Sequence, residues 1–174
     1  VDYPFEDFKS NSLGTFKLFE ARRKWNNEAL VIYTSSRSVL GNIPEPKIAD
    51  ETSPYDPATF YNVHKIYGEN LCKIYSELYG MKFVILRPSN VYGPRQPYWM
   101  KGWYNFISYW IKLALEDQPV PIYGTGKQIR DYVYVEDTAR AYVLALNNKK
   151  AIGGTFLLPT GIGVNLIDLA NTII

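Results

Sequence analysis

Short apolar runs alternate along this chain with longer segments of helical period, and that alternation argues an α/β sheet. The runs are Leu30–Tyr33, Lys82–Arg87, Val120–Tyr123, Asp131–Val135 and Thr155–Leu158. Each is too short for a helix and is read as a strand. Between them lie the helical segments. Phe5, Phe8, Ser12, Phe16, Phe19 and Arg23 fall at three- and four-residue steps, with Leu13 and Leu18 broadening the apolar side, which predicts a first helix over residues 5–25. A second is predicted from Pro57 to Tyr79, carrying Tyr61, Lys65, Asn70, Leu71, Ile74 and Leu78, with Gly80 as its stop. Residues 103–116 form a third, with Phe106, Ile107, Trp110, Ile111 and Leu115 on one side. A fourth runs from Val135 to Leu146, and Asn165 is the N-cap of a last one. Gly41, Pro44, Pro46, Pro54 and Pro57 mark residues 41–60 as loop; Pro88–Lys101 is a second loop and Gly124–Gly126 a turn.

A chain of 174 residues, 47% apolar and 21% charged, can bury one real core. It holds no apolar stretch of about 18 residues, so no membrane-spanning helix is expected. The opening Val1-Asp2-Tyr3-Pro4 has neither the basic start nor the apolar run of a signal peptide. Cys72 is the only cysteine, which excludes an internal disulfide and fits a reducing cytoplasm. A net charge of +2 is too small to point to nucleic acid. No metal site is expected.

The chemistry concentrates in two places. The strand Leu30–Tyr33 stops in Thr34-Ser35-Ser36, and open α/β sheets place their sites where strands end. Tyr61 and Lys65 stand four apart on the second helix and so share a face. A free tyrosine titrates near 10 and is a poor base at neutral pH. A neighbouring positive charge favours the phenolate; bringing it to about 7 takes roughly 4 kcal/mol. Taken singly, the pair reads as an exposed helix face and the serines as a strand-end cap. Taken together, a hydroxyl at Ser36 can hold a substrate oxygen while Tyr61 moves its proton.

Ser36, Tyr61 and Lys65 are the proton-handling set of the short-chain dehydrogenases/reductases, and further motifs carry the resemblance across nearly the whole chain. Asn11-Ser12-Leu13-Gly14-Thr15 resembles the family's N-x-x-G-T motif. Ser35-Ser36-Arg37-Ser38-Val39-Leu40-Gly41 resembles the S-S-x-x-V-Y-G segment of the extended subfamily. Leu86-Arg87-Pro88-Ser89-Asn90-Val91-Tyr92-Gly93-Pro94-Arg95-Gln96 is similar to its L-R-x-x-N-V-Y-G-P-R-Q. Tyr123-Gly124-Thr125-Gly126 through Arg130-Asp131 to Val135-Glu136-Asp137 is similar to its Y-G-x-G-x-x-R-D-x-x-x-V-x-D.

The resemblance implies a Rossmann-like, doubly wound parallel sheet joined to part of a smaller substrate-binding domain. Residues 1–88 would be the C-terminal part of the NAD-binding domain. Residues 89–174 would be mainly nucleotide-sugar-binding, interleaved with returning Rossmann elements. It implies NAD as cofactor, with NADP as the alternative, held by Asn11, Ser35, Tyr61, Lys65 and Pro88. It implies a nucleotide-sugar substrate, a UDP-sugar before others, held by Ser36, Asn90, Tyr123 and Arg130, with Val120–Tyr123 along the base. Arg130 suits the diphosphate, since a guanidinium binds phosphate in bidentate fashion; a surface ion pair with Asp131 is the plainer reading. A homodimer through the helices near residues 5–25 and 61–79 is expected.

The departures refine this. Leu40 replaces the tyrosine of V-Y-G, and His64, the only histidine, stands where serine is common. Arg37 and Ser38 occupy the place of the acidic pair that nucleotide-sugar 4,6-dehydratases use to eliminate water, which favours epimerisation, most simply at C4 of a UDP-hexose. A 2-epimerase is an alternative, because Lys101-Gly102-Trp103 to Arg130-Asp131 somewhat resembles CDP-sugar 2-epimerases; a decarboxylase, a dehydratase or a keto-sugar reductase are others. The glycine-rich turn that cradles a dinucleotide pyrophosphate is absent. The first Rossmann strands are therefore expected upstream of Val1 and the rest of the sugar domain beyond Ile174. A catalytically silent interaction module is the reading of a different class.

Overall fold

The computed structural model describes residues 3–25, 28–43, 48–100 and 103–174. Pro44, Pro46, Lys101 and Gly102 lie outside them, as do Val1 and Asp2. In chain order, α1 (Pro4–Phe8) runs through a π turn at Lys9–Leu13 into α2 (Gly14–Trp25). Then come β1 (Val31–Thr34), a 3-10 turn at Arg37–Leu40, α3 (Phe60–Tyr79), β2 (Phe83–Pro88), β3 (Asn90–Tyr92), β4 (Trp99–Met100), β5 (Trp103–Tyr104) and α4 (Phe106–Leu115). β6 (Ile129–Tyr134), α5 (Val135–Asn147), a 3-10 turn at Lys149–Ala151, β7 (Thr155–Leu158), β8 (Gly163–Asn165) and α6 (Leu166–Ile173) complete the described chain. These elements form two compact units, one of Val1–Ser89 with Arg140–Leu158, the other of Asn90–Ala139 with Pro159–Ile174.

The first unit is built on a parallel sheet in the order β1-β2-β7. Val31 pairs with Phe83 and Ile85 with Thr155. Parallel neighbours need a crossover, and α3 supplies the one between β1 and β2. β2 is buried along its whole length, which is why Phe83-Val84-Ile85-Leu86 is apolar without alternation. Its period of two still divides the core. Phe83 and Ile85 pack with Phe19, Tyr33, Leu71, Cys72, Tyr75 and Met81, while Val84 and Leu86 pack with Ala145 and Ala151. Both faces of the sheet are thus covered, as the α/β expectation requires.

α3 starts three residues later than Pro57. Thr59 is its N-cap, in extended backbone, and its hydroxyl accepts the Asn62 N–H at 3.2 Å. Gly80 ends the helix in the left-handed region at φ 64°, as expected of a glycine stop. The first helix is interrupted by its π turn, closed by the Gly14 N–H on the Lys9 carbonyl. The wider turn rotates α2 relative to α1, so Ser12, Phe19 and Arg22 are the buried residues, while Phe5 and Phe16 of the expected stripe are exposed.

The second unit departs further from the sequence reading. Val120–Tyr123 is not a strand: no pairing holds it, and Tyr123 is 75% exposed. The strand expected at Asp131–Val135 is present as β6, which pairs parallel with β3 (Val91 with Val133) and antiparallel with β8 (Arg130 with Val164). β3, β4 and β5 lie in stretches read as loop or helix; each has two or three residues, below what periodicity detects. The helix at 103–116 shortens accordingly to α4, where Trp110 is buried against Phe106 and Leu115 is exposed. Asn165 caps α6 as expected, its side chain accepting the Asp168 N–H at 2.9 Å.

Gly68 shows how tightly α3 lies on the sheet. A Cβ there would run into the hydroxyl end of Tyr33, itself buried and 8% exposed. Gly68→Ala should therefore lower stability by about 1–3 kcal/mol through overpacking, although alanine is the better helix former. Urea unfolding of the variant checks this.

Candidate active site

β1 delivers Ser36 and α3 delivers Tyr61 and Lys65 to one place. Ser36 caps the 3-10 turn at Arg37–Leu40, its hydroxyl accepting the Ser38 N–H at 3.2 Å. The Ser36 hydroxyl also lies near enough to the Tyr61 side chain to pull its phenol down. Lys65 lies with its ammonium 5.4 Å from the Tyr61 ring centre and 5.5 Å from that of Tyr33. Its Nζ donates to the Thr34 carbonyl at 3.0 Å. One of three ammonium donors is thereby used. Tyr61 keeps 36% of its surface open.

The electrostatics differ from the expectation that Lys65 lowers the tyrosine. Burial pushes the Tyr61 phenol up; the Ser36 hydroxyl pulls it down, and Asp7 and Tyr142 push it up further. Burial pulls the Lys65 ammonium down, and Asp7 opposes this. The protein groups thus leave Tyr61 above its ordinary value, and the Ser36 hydroxyl is the one that favours the phenolate.

Asn11 and Ser35 are engaged elsewhere. The Asn11 amide donates to Asp7 at 2.8 Å, and the other Asp7 oxygen lies 2.6 Å from His64 Nδ1. This bridge ties α1 to α3 one residue before Lys65, with the His64 ring against Phe8 and Phe60. Ser35 is 2% exposed and turns inward, donating to Glu69 at 2.5 Å. Adjacent side chains on extended backbone face opposite ways, so Ser36 can face the site only if Ser35 faces the core. Pro88 ends β2 beside Leu158 and is buried.

Asn90, Tyr123 and Arg130 belong to the second unit. The Asn90 amide donates to the Asp131 carbonyl at 2.7 Å. Arg130 is exposed, and its Nη1 donates to the Ile129 carbonyl at 2.9 Å. Asp131 instead holds the turn before β8, accepting from the backbone of Thr160 and Gly161 and from the Thr160 hydroxyl at 2.8–3.0 Å.

Sequence reasoning missed the group at the centre of the first unit. Glu69, wholly buried on α3, accepts both Arg87 Nε at 2.9 Å and Arg87 Nη2 at 2.7 Å. Tyr55 donates to it at 2.7 Å. Burial alone would raise the Glu69 carboxyl; the bonds from Arg87, Ser35 and Tyr55 outweigh that and hold it below its ordinary value. The spacing Tyr61, Lys65, Glu69 was a readable signal, since all three share a helix face. Thr34 was also passed over: besides holding Lys65, its hydroxyl accepts from Tyr142 at 2.7 Å.

The profile of the NAD dependent epimerase/dehydratase family matches residues 1–158, and the chain belongs to that family. A Methanocaldococcus jannaschii protein with a provisional UDP-glucose 4-epimerase name is 41% identical over 87% of this chain and 49% of its own length. CDP-paratose 2-epimerase of Salmonella typhi is 30% identical over 97% of this chain and 55% of its own. Among solved structures, the UDP-glucose 4-epimerase of Thermus thermophilus in complex with NAD superposes with a TM-score of 0.89 at 32% identity, covering 99% of this chain and 56% of that one. The chain spans about half the length of the curated relatives it matches. No helix among the described residues is long and apolar enough to cross a membrane.

Removing one partner of a buried ion pair strands the other, so Glu69→Gln should cost about 3–5 kcal/mol in chemical denaturation. Because the folded-state pKa of Glu69 is depressed, its contribution is fully present above the unfolded carboxyl value of about 4.3 and is lost as pH falls through the folded one. Acid titration of stability should show a weaker dependence below about pH 4 in the variant.

Proposed function

We propose that this chain supplies the proton-handling centre of an NAD-dependent epimerase that acts on a nucleotide sugar, most simply at C4 of a UDP-hexose. The observation that carries it is the convergence of Ser36 and Lys65 on Tyr61, the Lys65 ammonium 5.4 Å from its ring centre and the Ser36 hydroxyl near enough to favour its phenolate, in a chain of this family. Tyr61 as phenolate takes the proton of the reacting sugar hydroxyl and returns it at the end. Ser36 holds the reacting oxygen between these two transfers. The transient keto sugar has to turn over in the pocket to expose its other face.

The residues present fit the nicotinamide ribose end of the cofactor. Lys65 has two ammonium donors beyond the one on Thr34, suited to a ribose diol beside Tyr61. Pro88 would line the same end, and Asn11 would contribute through its place in the π turn, since its amide is taken by Asp7. Ser35, buried against Glu69, would act through the backbone. Bound NAD supplies hydride acceptance and return at the sugar carbon. On the substrate side Asn90 and the exposed Arg130 would meet the diphosphate, and Tyr123 the base. Arg37 and Ser38 in place of an acidic pair favour epimerisation over dehydration.

A 2-epimerase acting on a CDP-sugar is the second reading, favoured by the likeness to CDP-paratose 2-epimerase along nearly the whole chain. Product analysis of the full-length protein with UDP-glucose, UDP-N-acetylglucosamine and a CDP-hexose, each with NAD, decides between them. UDP-galactose from UDP-glucose supports the C4 reading; inversion at C2 alone replaces it. In that assay Tyr61→Phe should lower kcat by about 100-fold or more with little change in sugar affinity. Unchanged turnover removes the mechanism.

We also propose a homodimer through α1, α2 and α3, in the reducing cytoplasm that a single buried thiol suits. Phe5, Phe16 and Leu18 on the first helices and Val63, Ile74 and Leu78 on α3 leave apolar surface open. Light scattering should give twice the chain mass for the native protein. Leu78→Glu, at a position 64% exposed, should shift it toward monomer without unfolding it.

A further inference from the structure

Two side chains with no described hydrogen bond to Tyr61 stand in line behind the Ser36 hydroxyl. Ser38 Oγ lies 2.8 Å from Ser36 Oγ, and the Ser38 N–H donates to the same oxygen at 3.2 Å. Behind Ser38, the Asn62 Nδ2 donates to Ser38 Oγ at 2.8 Å. The orientation of that amide is fixed from its other end. Asn62 Oδ1 accepts the Ala58 N–H at 3.2 Å and the Thr59 hydroxyl at 2.9 Å, so the nitrogen must face Ser38. Asn62 is 4% exposed, and its backbone N–H is tied to the Thr59 cap.

Donor counting then gives the chain a direction. A phenolate at Tyr61 can only accept, so the Ser36 hydrogen turns to it. Ser36 Oγ is left to accept, and both the Ser38 N–H and the Ser38 O–H serve it. Ser38 Oγ in turn accepts from Asn62, which has nothing but N–H to offer there. Each link polarises the next, and all of them are in place before the proton moves.

We propose that Ser38 and Asn62 are positioning residues that hold the Ser36 hydroxyl as a donor aimed at the Tyr61 oxygen. This deepens the reading of Tyr61 as the base and rests on it. It also gives a use to Ser38, which occupies the position of an acidic residue in the dehydratases, and to Asn62, next to the catalytic tyrosine. The other groups that face Tyr61 are Asp7 of α1, Tyr33 of β1, Tyr142 of α5 and Lys65 on its own helix. None of them donates to Ser36 among the described hydrogen bonds. Burial, Asp7 and Tyr142 work against the phenolate, so a relay that favours it has something to offset.

The test is a titration of Tyr61 by ¹³Cζ-tyrosine NMR in the full-length protein, its resonance assigned by loss in Tyr61→Phe. Ser38→Ala removes one donor to Ser36 and should move the Tyr61 midpoint upward by about 0.5–1 pH unit. Ser38→Thr keeps the hydroxyl and should restore the native midpoint. Where turnover is measured, the acidic limb of kcat/KM should move with the titration, with KM for the sugar unchanged. An unshifted midpoint in Ser38→Ala, even with a lowered unfolding temperature, overturns the relay and leaves Ser38 a structural cap. The titration needs no activity. Shifted midpoints in a protein that turns over no nucleotide sugar would sink the epimerase reading and keep the relay. Equal midpoints in an active enzyme would do the reverse.

Discussion

The first unit depends on one buried ion pair. Glu69 on α3 and Arg87 at the end of β2 bond in bidentate fashion with almost no solvent contact, side chains 0% and 4% exposed. Taking two charges out of water costs several kcal/mol each, and only close geometry with further hydrogen bonds offsets it. Ser35 and Tyr55 complete the carboxylate's coordination. Among the described residues Arg87 Nη1 finds no partner, with the guanidinium 5.3 Å from the Tyr55 ring centre. The pair fixes the helix, the central strand, the end of β1 and the loop before α3 relative to one another.

The site inherits its geometry from that arrangement. Lys65 lies one turn before Glu69 on the same helix, and Tyr61 one turn before that. Ser35, pinned to Glu69, forces Ser36 to the opposite side, where it meets Tyr61. Thr34 then holds the Lys65 ammonium through its carbonyl. Three consecutive residues at the end of β1 thus each hold a different group of the site or its support. A hydroxyl-rich strand end is what this task needs, because small polar side chains can bond on either face without filling the pocket.

Much of this was legible. The alternation of short apolar runs with helical segments led to an α/β sheet, the family resemblance implied that it is parallel, and Lys82–Arg87 was read as a strand. Gly80 and Asn165 marked helix ends because their effects are local. Tyr61 and Lys65 were placed together by helical spacing alone. The failures have physical reasons. Val120–Tyr123 has strand composition but no partner, and a strand exists only where another offers its hydrogen bonds. β3, β4 and β8 are set by pairing and are too short to leave a period. The π turn displaced the apolar stripe of the first helix, and one extra residue in a turn has no sequence signature of its own. The phenol of Tyr61 was expected low through Lys65 together with the positive nicotinamide ring; among the protein groups burial, which sequence does not give, pushes it up.

The chain's own order of residues determined the elements, the helix face shared by Tyr61, Lys65 and Glu69, and the family motifs, because these rest on separations of a few residues where the backbone sets distance. The motif pointed to Ser36, but only the tertiary structure supplies the physical reason that it, and not Ser35, faces the site. Ser35 and Ser36 are chemically identical neighbours, and only the buried Glu69 on one side and Tyr61 on the other distinguishes them. The same holds for Ser38 and Asn62, 24 residues apart and joined by one hydrogen bond. Bonds across such separations form only after the loop between them has closed, and they are therefore properties of the fold.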